Sequence, residues 1–364
     1  MGLTVLSDSD VSKVFSSLST EEVNGLLQVL GETLTHYSCH GGKNDYLARS
    51  AHTRKDGQTS LFMPSVTQDL IGTKIVGVAP PQTQSSAAPV AGLKSVLTLC
   101  DATGQAVGIL NAAELTAFRT SLGSMLLFHQ RQTVRNIVVF GAGKQALWHV
   151  KLAAILRGRD IQMITIINRS SKRTEQLISD IQSSEQWPSH IKLVASENQE
   201  SLEQLVTDAD AIFCTTPSTE ALFPAAFLTS DAAKSKTRYI AAIGSYKLNM
   251  REIDPEYLRT VVDPSGPLSA QAYKEGVITV DSQEGCSEEA GEIVAAKIPH
   301  EKIVEVGELL QQRTKPASAD LEKWLQEGLV IYKSVGIGVM DISIGREILR
   351  LANSKSIGLT APDF

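Results

Sequence analysis

No apolar run in this 364-residue chain approaches the length that crosses a bilayer. The first residues, Met-Gly-Leu-Thr-Val-Leu-Ser-Asp-Ser-Asp, lack the basic start and long apolar core of a secretory leader, so a cytoplasmic protein is expected. Cysteine is scarce: Cys39, Cys100, Cys214 and Cys286 are scattered, with neither metal-ligand spacing nor a disulfide framework, which fits a reducing compartment. No set of histidines and carboxylates reads as a metal site, and none is expected. An excess of positive charge is also missing. The net charge of -6 gives no reason to expect nucleic acid or an anionic membrane as partner.

What is present, 42% hydrophobic and 20% charged residues, is the composition of an ordinary globular protein long enough for two domains. Near the start, Val5–Leu6 reads as a short strand, and Ser7 or Asp8 as the cap of a helix carrying Val11, Val14 and Phe15. Leu26, Leu27 and Leu30 recur at helical spacing after Thr20-Glu21-Glu22. Strand patterns follow at Ser60–Met63, Thr73–Val78 and Ser95–Cys100, with a loop at Pro80–Pro89. Asp101-Ala-Thr-Gly104 then signals a hairpin turn into Ala106–Leu110. A helix over Asn111–Gln130, largely apolar on one side, leads into regular α/β alternation. That alternation predicts an α/β fold with a doubly wound parallel sheet. Strands are expected at Ile191–Val194, Ala211–Thr215, Tyr239–Ile243, Val261–Val262 and Val277–Thr279, and a helix at Ile303–Gln311. The segment Val330–Leu351, a short strand and a long helix, is expected to pack with the N-terminal domain. The domains would then be 1–119 with 328–364, and 120–327.

Residues Asn136–Ala146 read Asn-Ile-Val-Val-Phe-Gly-Ala-Gly-Lys-Gln-Ala, an apolar strand breaking into Gly-x-Gly-x-x-Ala and continuing as a helix. Gly141 permits the tight turn, Gly143 lets backbone approach a pyrophosphate, and small Ala146 allows close helix–strand packing. Ala142, Lys144 and Gln145 complete this loop, where free N–H groups favour an anion. A second strand, Met163–Ile167, stands at the expected distance. It ends in Asn168-Arg169-Ser170-Ser171-Lys172-Arg173, where an NAD-specific site would place an acid for the ribose hydroxyls. The set Asn168, Arg169, Ser170 and Arg173 suits a 2′-phosphate instead. NADP(H) is therefore favoured, with NAD(H) possible.

The string Glu114-Leu-Thr-Ala-Phe-Arg119-Thr-Ser-Leu-Gly123 just before this unit resembles the ornithine cyclodeaminase/mu-crystallin family. So do Phe62-Met-Pro64, Thr73-Lys74, Val280-Asp281-Ser282 and Tyr332-Lys333-Ser334-Val335-Gly336, in one order across almost the whole chain. The resemblance implies a Rossmann domain joined to an N-terminal α/β domain that binds substrate and forms a homodimer. It also implies that Arg49, Lys74 and Arg119 bind the substrate carboxylate, a task suited to guanidinium forks and a compact ammonium. Arg54 competes with Arg49 for that place. Thr215, Thr216 and Pro217 would border the nicotinamide or its ribose, with Ser334, Val335 and Gly336 approaching from the other side.

Cyclodeaminases of this family carry an aspartate shortly after the Ala-Ile-Gly of a late Rossmann strand. Here Ala242-Ile-Gly244 is followed by Ser245-Tyr246, and Tyr246 holds the matching position. A phenol is a poor base at neutral pH, though it can donate a proton. This departure, with the basic set after the second strand, points to the NADPH-dependent ketimine reductase branch. The substrate would be an amino-acid-like cyclic imine carboxylate, with Lys74 the first proton donor and Tyr246 the second. Two alternatives remain: a lyase that turns ornithine into proline and ammonia with recycled NAD+, and a non-catalytic small-molecule binder. Glu288, Glu289 and Glu292 read as a charged helix face, Trp148 and His149 as helix packing and helix surface, and Met340, Ile342 and Ile344 as core.

Overall fold

The computed structural model describes residues 2–79, 94–184, 187–196, 201–316 and 318–364. The Pro80–Pro89 loop lies outside the described residues. Two compact units emerge, 1–119 with 337–364, and 120–336.

The first unit opens with β1 (Leu3–Leu6), α1 (Asp8–Ser16) and α2 (Thr20–Cys39). Both helices start at a capping box: Ser7 with Asp10, and Ser19 with Glu22, each reciprocally satisfying N–H groups that the helix leaves free. Strands β2 (Ser50–Thr53), β3 (Thr59–Val66), β4 (Leu70–Val78), β5 (Lys94–Asp101) and β6 (Ala106–Asn111) follow as an antiparallel meander. The Asp101 carboxylate accepts the N–H groups of Thr103 and Gln105, which fixes the β5–β6 turn. α3 (Ala113–Phe128) contains the boundary between the units. It is buried on nearly every side rather than on one face, as its almost uninterrupted apolar and small residues require.

The second unit contains β7 (Asn136–Phe140), α4 (Lys144–Arg157), β8 (Met163–Ile167), α5 (Ser171–Gln182), β9 (Lys192–Ser196), α6 (Leu202–Asp208) and β10 (Ala211–Cys214). Then come α7 (Ala226–Thr229), α8 (Asp231–Lys234), β11 (Tyr239–Ala242), α9 (Pro255–Val262), β12 (Ile278–Val280), α10 (Gln283–Glu289) and α11 (Gly291–Ala296). The unit ends with β13 (Ile303–Glu305), α12 (Val306–Arg313), α13 (Ala319–Glu327) and β14 (Val330–Lys333). Its strands form one parallel sheet in the order β13-β12-β14-β11-β10-β7-β8-β9. Strands β10, β11 and β14 are buried throughout, as covering helices on both sheet faces demand.

Three expectations are corrected. Val261–Val262 is the end of α9, a helix started by the Asp254 cap and Pro255 at its first turn. Ile303–Glu305 is an edge strand before a shorter helix. Val330–Lys333 belongs to the parallel sheet, pairing with β11 and β12, so the return to the first unit begins at Ile337 and not at 328. The sequence pattern of a strand followed by a helix was the same in either sheet; the pairing partner decides.

After that return, α14 (Gly338–Ser354) packs on β3, β4 and β5, and β15 (Leu359–Ala361) pairs with β1. The first unit's sheet runs β15-β1-β6-β5-β4-β3-β2. Along β4 the period of two sends Leu70, Gly72, Lys74 and Val76 to the buried face, while Ile71 and Ile75 face outward. Lys74 thus joins the face that α14 covers.

Candidate functional site

In the second unit the chain turns off β7 at Gly141, whose φ of +113° only glycine adopts readily. A Cβ there would lie 2.7 Å from Thr215 Oγ1, so the turn is also too close to the neighbouring loop for a side chain. Gly143 is the N-cap of α4, extended and without a side-chain cap; a Cβ there would meet nothing. Open space therefore lies over the helix start, where free N–H groups and the dipole suit a pyrophosphate. Ala142 and Gln145 are half-buried, Lys144 is exposed and Ala146 is buried. Sheet order reverses direction between β7 and β10, and this switch point is where parallel α/β sheets bind ligands.

At the end of β8, Asn168 Nδ2 donates to Ser170 O at 3.1 Å and shapes the turn. Arg169, Lys172 and Arg173 are exposed. The first turn of α5 holds no acid, and the Ser170 hydroxyl does not cap it. Two cations in the first turn oppose the helix dipole, an arrangement that a bound anion would relieve.

Beyond β10, Thr215 Oγ1 donates to Phe140 O at 2.7 Å, Thr216 is half-buried and Pro217 is exposed. Tyr246 is half-buried beside Lys247, whose Nζ stands 5.6 Å from the ring centroid. Ser334, Val335 and Gly336 are buried and turned toward Asp281. Ser334 Oγ donates to its carboxylate at 2.6 Å and the Gly336 N–H at 2.7 Å. The Ser334 hydroxyl is thus committed to Asp281 rather than presented to a ligand.

Two expected surface groups are corrected. Glu292 is fully buried: its Oε1 lies 3.2 Å from Lys333 Nζ, and Ser245 Oγ donates to it at 2.7 Å. His149 is fully buried, its nitrogens 2.8 Å from Ser121 Oγ and 2.9 Å from Ser124 Oγ. Burial drives its proton affinity down to about 4, so the ring is neutral at ordinary pH. The motif after Gly143 thus continues into a helix whose one histidine is inside, while Lys144 stays exposed.

In the first unit, Lys74 Nζ lies 2.8 Å from Asp341 Oδ2, and Arg119 Nε lies 2.9 Å from Asp341 Oδ1. All three side chains are buried. The guanidinium reaches back with Nη1 to Met340 Sδ at 3.6 Å. Two cations against one carboxylate leave one net positive charge, the complement of one ligand carboxylate. Burial lowers the proton affinity of Lys74 from 10.5 to about 8; Arg119 and Arg49 add to this, and Asp341 opposes it. Arg49, half-buried just before β2, thus acts on Lys74 through its charge. Arg54 is exposed in the β2–β3 turn and pairs with Asp56 at 2.8 Å. Asp341 was absent from the sequence-based set. Its signal was an acid inside the apolar run Val339-Met340-Asp341-Ile342, where burial calls for a partner.

His36 in the last turn of α2 and His40 at its C-cap stand four residues apart with ring centroids 6.2 Å apart. Among the described residues no three His, Cys, Asp or Glu side chains gather as a metal ion would need, and no helix is long and apolar enough to cross a membrane.

Comparison with known proteins adds a family match: residues 10–356 fit the ornithine cyclodeaminase/mu-crystallin family. The chain is 27% identical to the uncharacterised protein YGL159W of Saccharomyces cerevisiae, over 98% of this chain and 99% of that one. It is 26% identical to a Delta(1)-pyrroline-2-carboxylate reductase of Bacillus cereus, over 82% of this chain and 83% of the relative. Among solved structures, the Thermococcus litoralis Delta(1)-pyrroline-2-carboxylate reductase in complex with NADH and L-proline superposes with a TM-score of 0.75. That match covers 98% of this chain and 100% of the other at 18% identity, and it shows a shared fold.

Proposed function

Because the chain belongs to the ornithine cyclodeaminase/mu-crystallin family, we propose that it reduces a cyclic ketimine carboxylate to the amino acid with NADPH. Substrates of the Δ1-pyrroline-2-carboxylate or Δ1-piperideine-2-carboxylate type fit this reading. The observation that carries it is Lys74: a buried ammonium whose proton affinity is lowered to about 8, held beside Arg119 with one positive charge left over. Arg119 and Arg49 take the substrate carboxylate, and Lys74 gives its proton to the imine nitrogen. An ammonium of this acidity is protonated at neutral pH yet gives its proton up far more readily than an exposed lysine. The bound nucleotide supplies the hydride, while the protein supplies geometry and charge. Gly141–Ala146 would hold its pyrophosphate and Thr215–Pro217 its nicotinamide end. Tyr246, where a cyclodeaminase of the family has its aspartate, favours reduction over ammonia release.

The test is a panel of pyrroline, piperideine and linear α-imino acids scored for NADPH oxidation, beside ammonia release from ornithine. Stoichiometric NADPH consumption supports the reductase. Ammonia from ornithine without net NADPH consumption would replace it with the cyclodeaminase. Ring size shifts selectivity by only about 1–3 kcal/mol in an apolar pocket, so both rings are expected to react.

The basic, uncapped start of α5 supports NADPH over NADH. Replacing Arg169 and Arg173 together by alanine is expected to raise KM for NADPH by about tenfold or more, the scale of a lost charge-assisted phosphate contact. KM for NADH should barely move. Equal losses with both nucleotides would remove the 2′-phosphate assignment.

Homodimer formation is part of the same reading. Phe62, Val66, Ile71, Ile75 and Val96 stand more than a third exposed on the outward face of β3, β4 and β5. Phe62 pairs with Ile75 and Ile75 with Val96, and Val66 pairs with Ile71 further along the same face, with the Pro64–Thr73 pair between the two apolar sets. Such patches on a monomer mark interaction sites, and a second copy of this chain is the occupant proposed. The double substitution Phe62→Glu, Ile75→Glu is expected to sediment as a monomer. A variant that keeps the wild-type mass in solution would place the interface elsewhere.

A further inference from the structure

Glu252 lies in the segment between β11 and α9, fully buried, and plays no part in the chemistry above. Its two carboxylate oxygens reach two different loops. The Thr216 N–H, just past β10, donates to Oε1 at 2.6 Å, and the Gly244 N–H, just past β11, donates to Oε2 at 2.6 Å. Thr216 Oγ1 adds a longer bond of 3.3 Å. The surrounding backbone is laced to the same region: the Leu222 N–H donates to Glu252 O, and the Arg251 N–H to Ser218 O.

These loops touch directly. A Cβ on Gly244 would lie 2.1 Å from Thr216 O, and one on Gly141 would lie 2.7 Å from Thr215 Oγ1 and 3.1 Å from Thr216 Cγ2. Gly141, Thr215, Thr216 and Gly244 therefore form one backbone ridge across the carboxyl ends of β7, β10 and β11. That edge is where a parallel sheet of this order holds its ligand. Burying a carboxylate is costly unless its charge is used. Here it is used to satisfy one N–H on each of two loops that have no ladder partner at these positions.

We propose that ionised Glu252 is a positioning residue: it clamps the β10 and β11 loops into the register that receives the nicotinamide half of the dinucleotide, so that nucleotide affinity follows its ionisation. The proposal rests on the dinucleotide reading above. Protonation leaves one oxygen as a hydroxyl donor facing an N–H, which breaks one arm of the clamp. The groups facing the carboxylate are Glu292 of α11, Lys333 of β14 and Cys214 of β10. Burial foremost, with Glu292 reinforcing it against Lys333 and the two N–H groups, pushes the proton affinity of Glu252 up to about 7. The switch thus falls in the range where the protein can be titrated intact.

NADH is the probe, because it lacks the 2′-phosphate that would itself titrate near neutrality. Fluorescence titration of the full chain between about pH 6 and 8 should show affinity falling by about tenfold on the acid side, the scale of one charge-assisted hydrogen bond. Glu252→Gln keeps the shape but not the charge. It should bind with the acid-limb affinity of the wild type and show no pH dependence. A wild-type affinity that is flat with pH, or a Gln variant that retains the wild-type dependence, overturns the proposal. Should that variant fail to fold, hydrogen exchange on the wild type decides. Amides of Thr216 and Gly244 should lose protection at about pH 6 relative to those of β8, after correction for intrinsic rates; unchanged relative protection overturns the clamp. NADH that binds at no pH would defeat the dinucleotide reading, while the exchange measurement still tests the clamp.

Discussion

Lys74→Met is expected to lower kcat for ketimine reduction by at least about a hundredfold, the lower range for loss of a positioned general acid, without lowering the urea midpoint at neutral pH. The two halves have one cause. Lys74 is 2% exposed and binds its proton less tightly than a free lysine, 10.5 falling to about 8. Between these values the unfolded chain binds more protons than the native one, so stability rises with pH across that window. Below about pH 8 the full penalty of the buried ammonium is present, on the order of 3 kcal/mol from the size of the shift. Methionine fills similar volume and carries no charge, and Asp341 keeps Arg119 as its partner. Wild-type stability should therefore climb from pH 8 to 10.5, a contribution missing in the variant.

Activity runs the other way. Proton donation needs the ammonium, so kcat/KM of the wild type should fall as pH rises through about 8. Unchanged kcat in Lys74→Met would remove Lys74 as the acid and leave Tyr246 as the donor. A collapse of the urea midpoint would instead make Lys74 a structural partner of Asp341.

The strand–turn–helix at the start of the second unit was legible because every signal in it is local. Gly141, Gly143 and Ala146 lie within one turn, and strand, turn and helix are contiguous, so their chemistry survives without knowledge of the rest of the chain. The same locality explains why a cap at Ser7 or Asp8, a helix start near Thr20 and the Asp101–Gly104 hairpin could be read in advance, although the Ser19 cap itself was not. Contacts between distant segments were not legible. Arg119 and Asp341 are 222 positions apart, and Asp341 differs from its neighbours only in being an acid among apolar residues. Lys74 came from a family resemblance; the pleat of β4 explains why it is buried. Glu292 and His149 had sequence surroundings indistinguishable from solvated helix faces, and tertiary packing reversed both. Val330–Lys333 failed for a third reason: a strand's pattern does not name its sheet, and its register with Tyr239–Ala242 does.

Asp341→Asn should be the most destabilising single change in the first unit's charged cluster, by about 3–5 kcal/mol, because it leaves two buried cations without their carboxylate. Asparagine preserves the shape and one acceptor oxygen, so packing loss is not the cause. Its Nδ2 would face a cation that formerly met an oxygen. Asp341 also holds up the proton affinity of Lys74 against burial and the charges of Arg119 and Arg49. Without it the ammonium should deprotonate below pH 8, and the alkaline fall in kcat/KM should move to lower pH. Adding Lys74→Met to Asp341→Asn removes one of the two stranded cations, so the pair should be more stable than Asp341→Asn alone. A double-mutant cycle should return a coupling of about 1–3 kcal/mol between these contacting groups. Additive losses would mean that Asp341 does not balance Lys74. A pH–rate profile that stays in place in Asp341→Asn would separate the stability role from any effect on the proton donor.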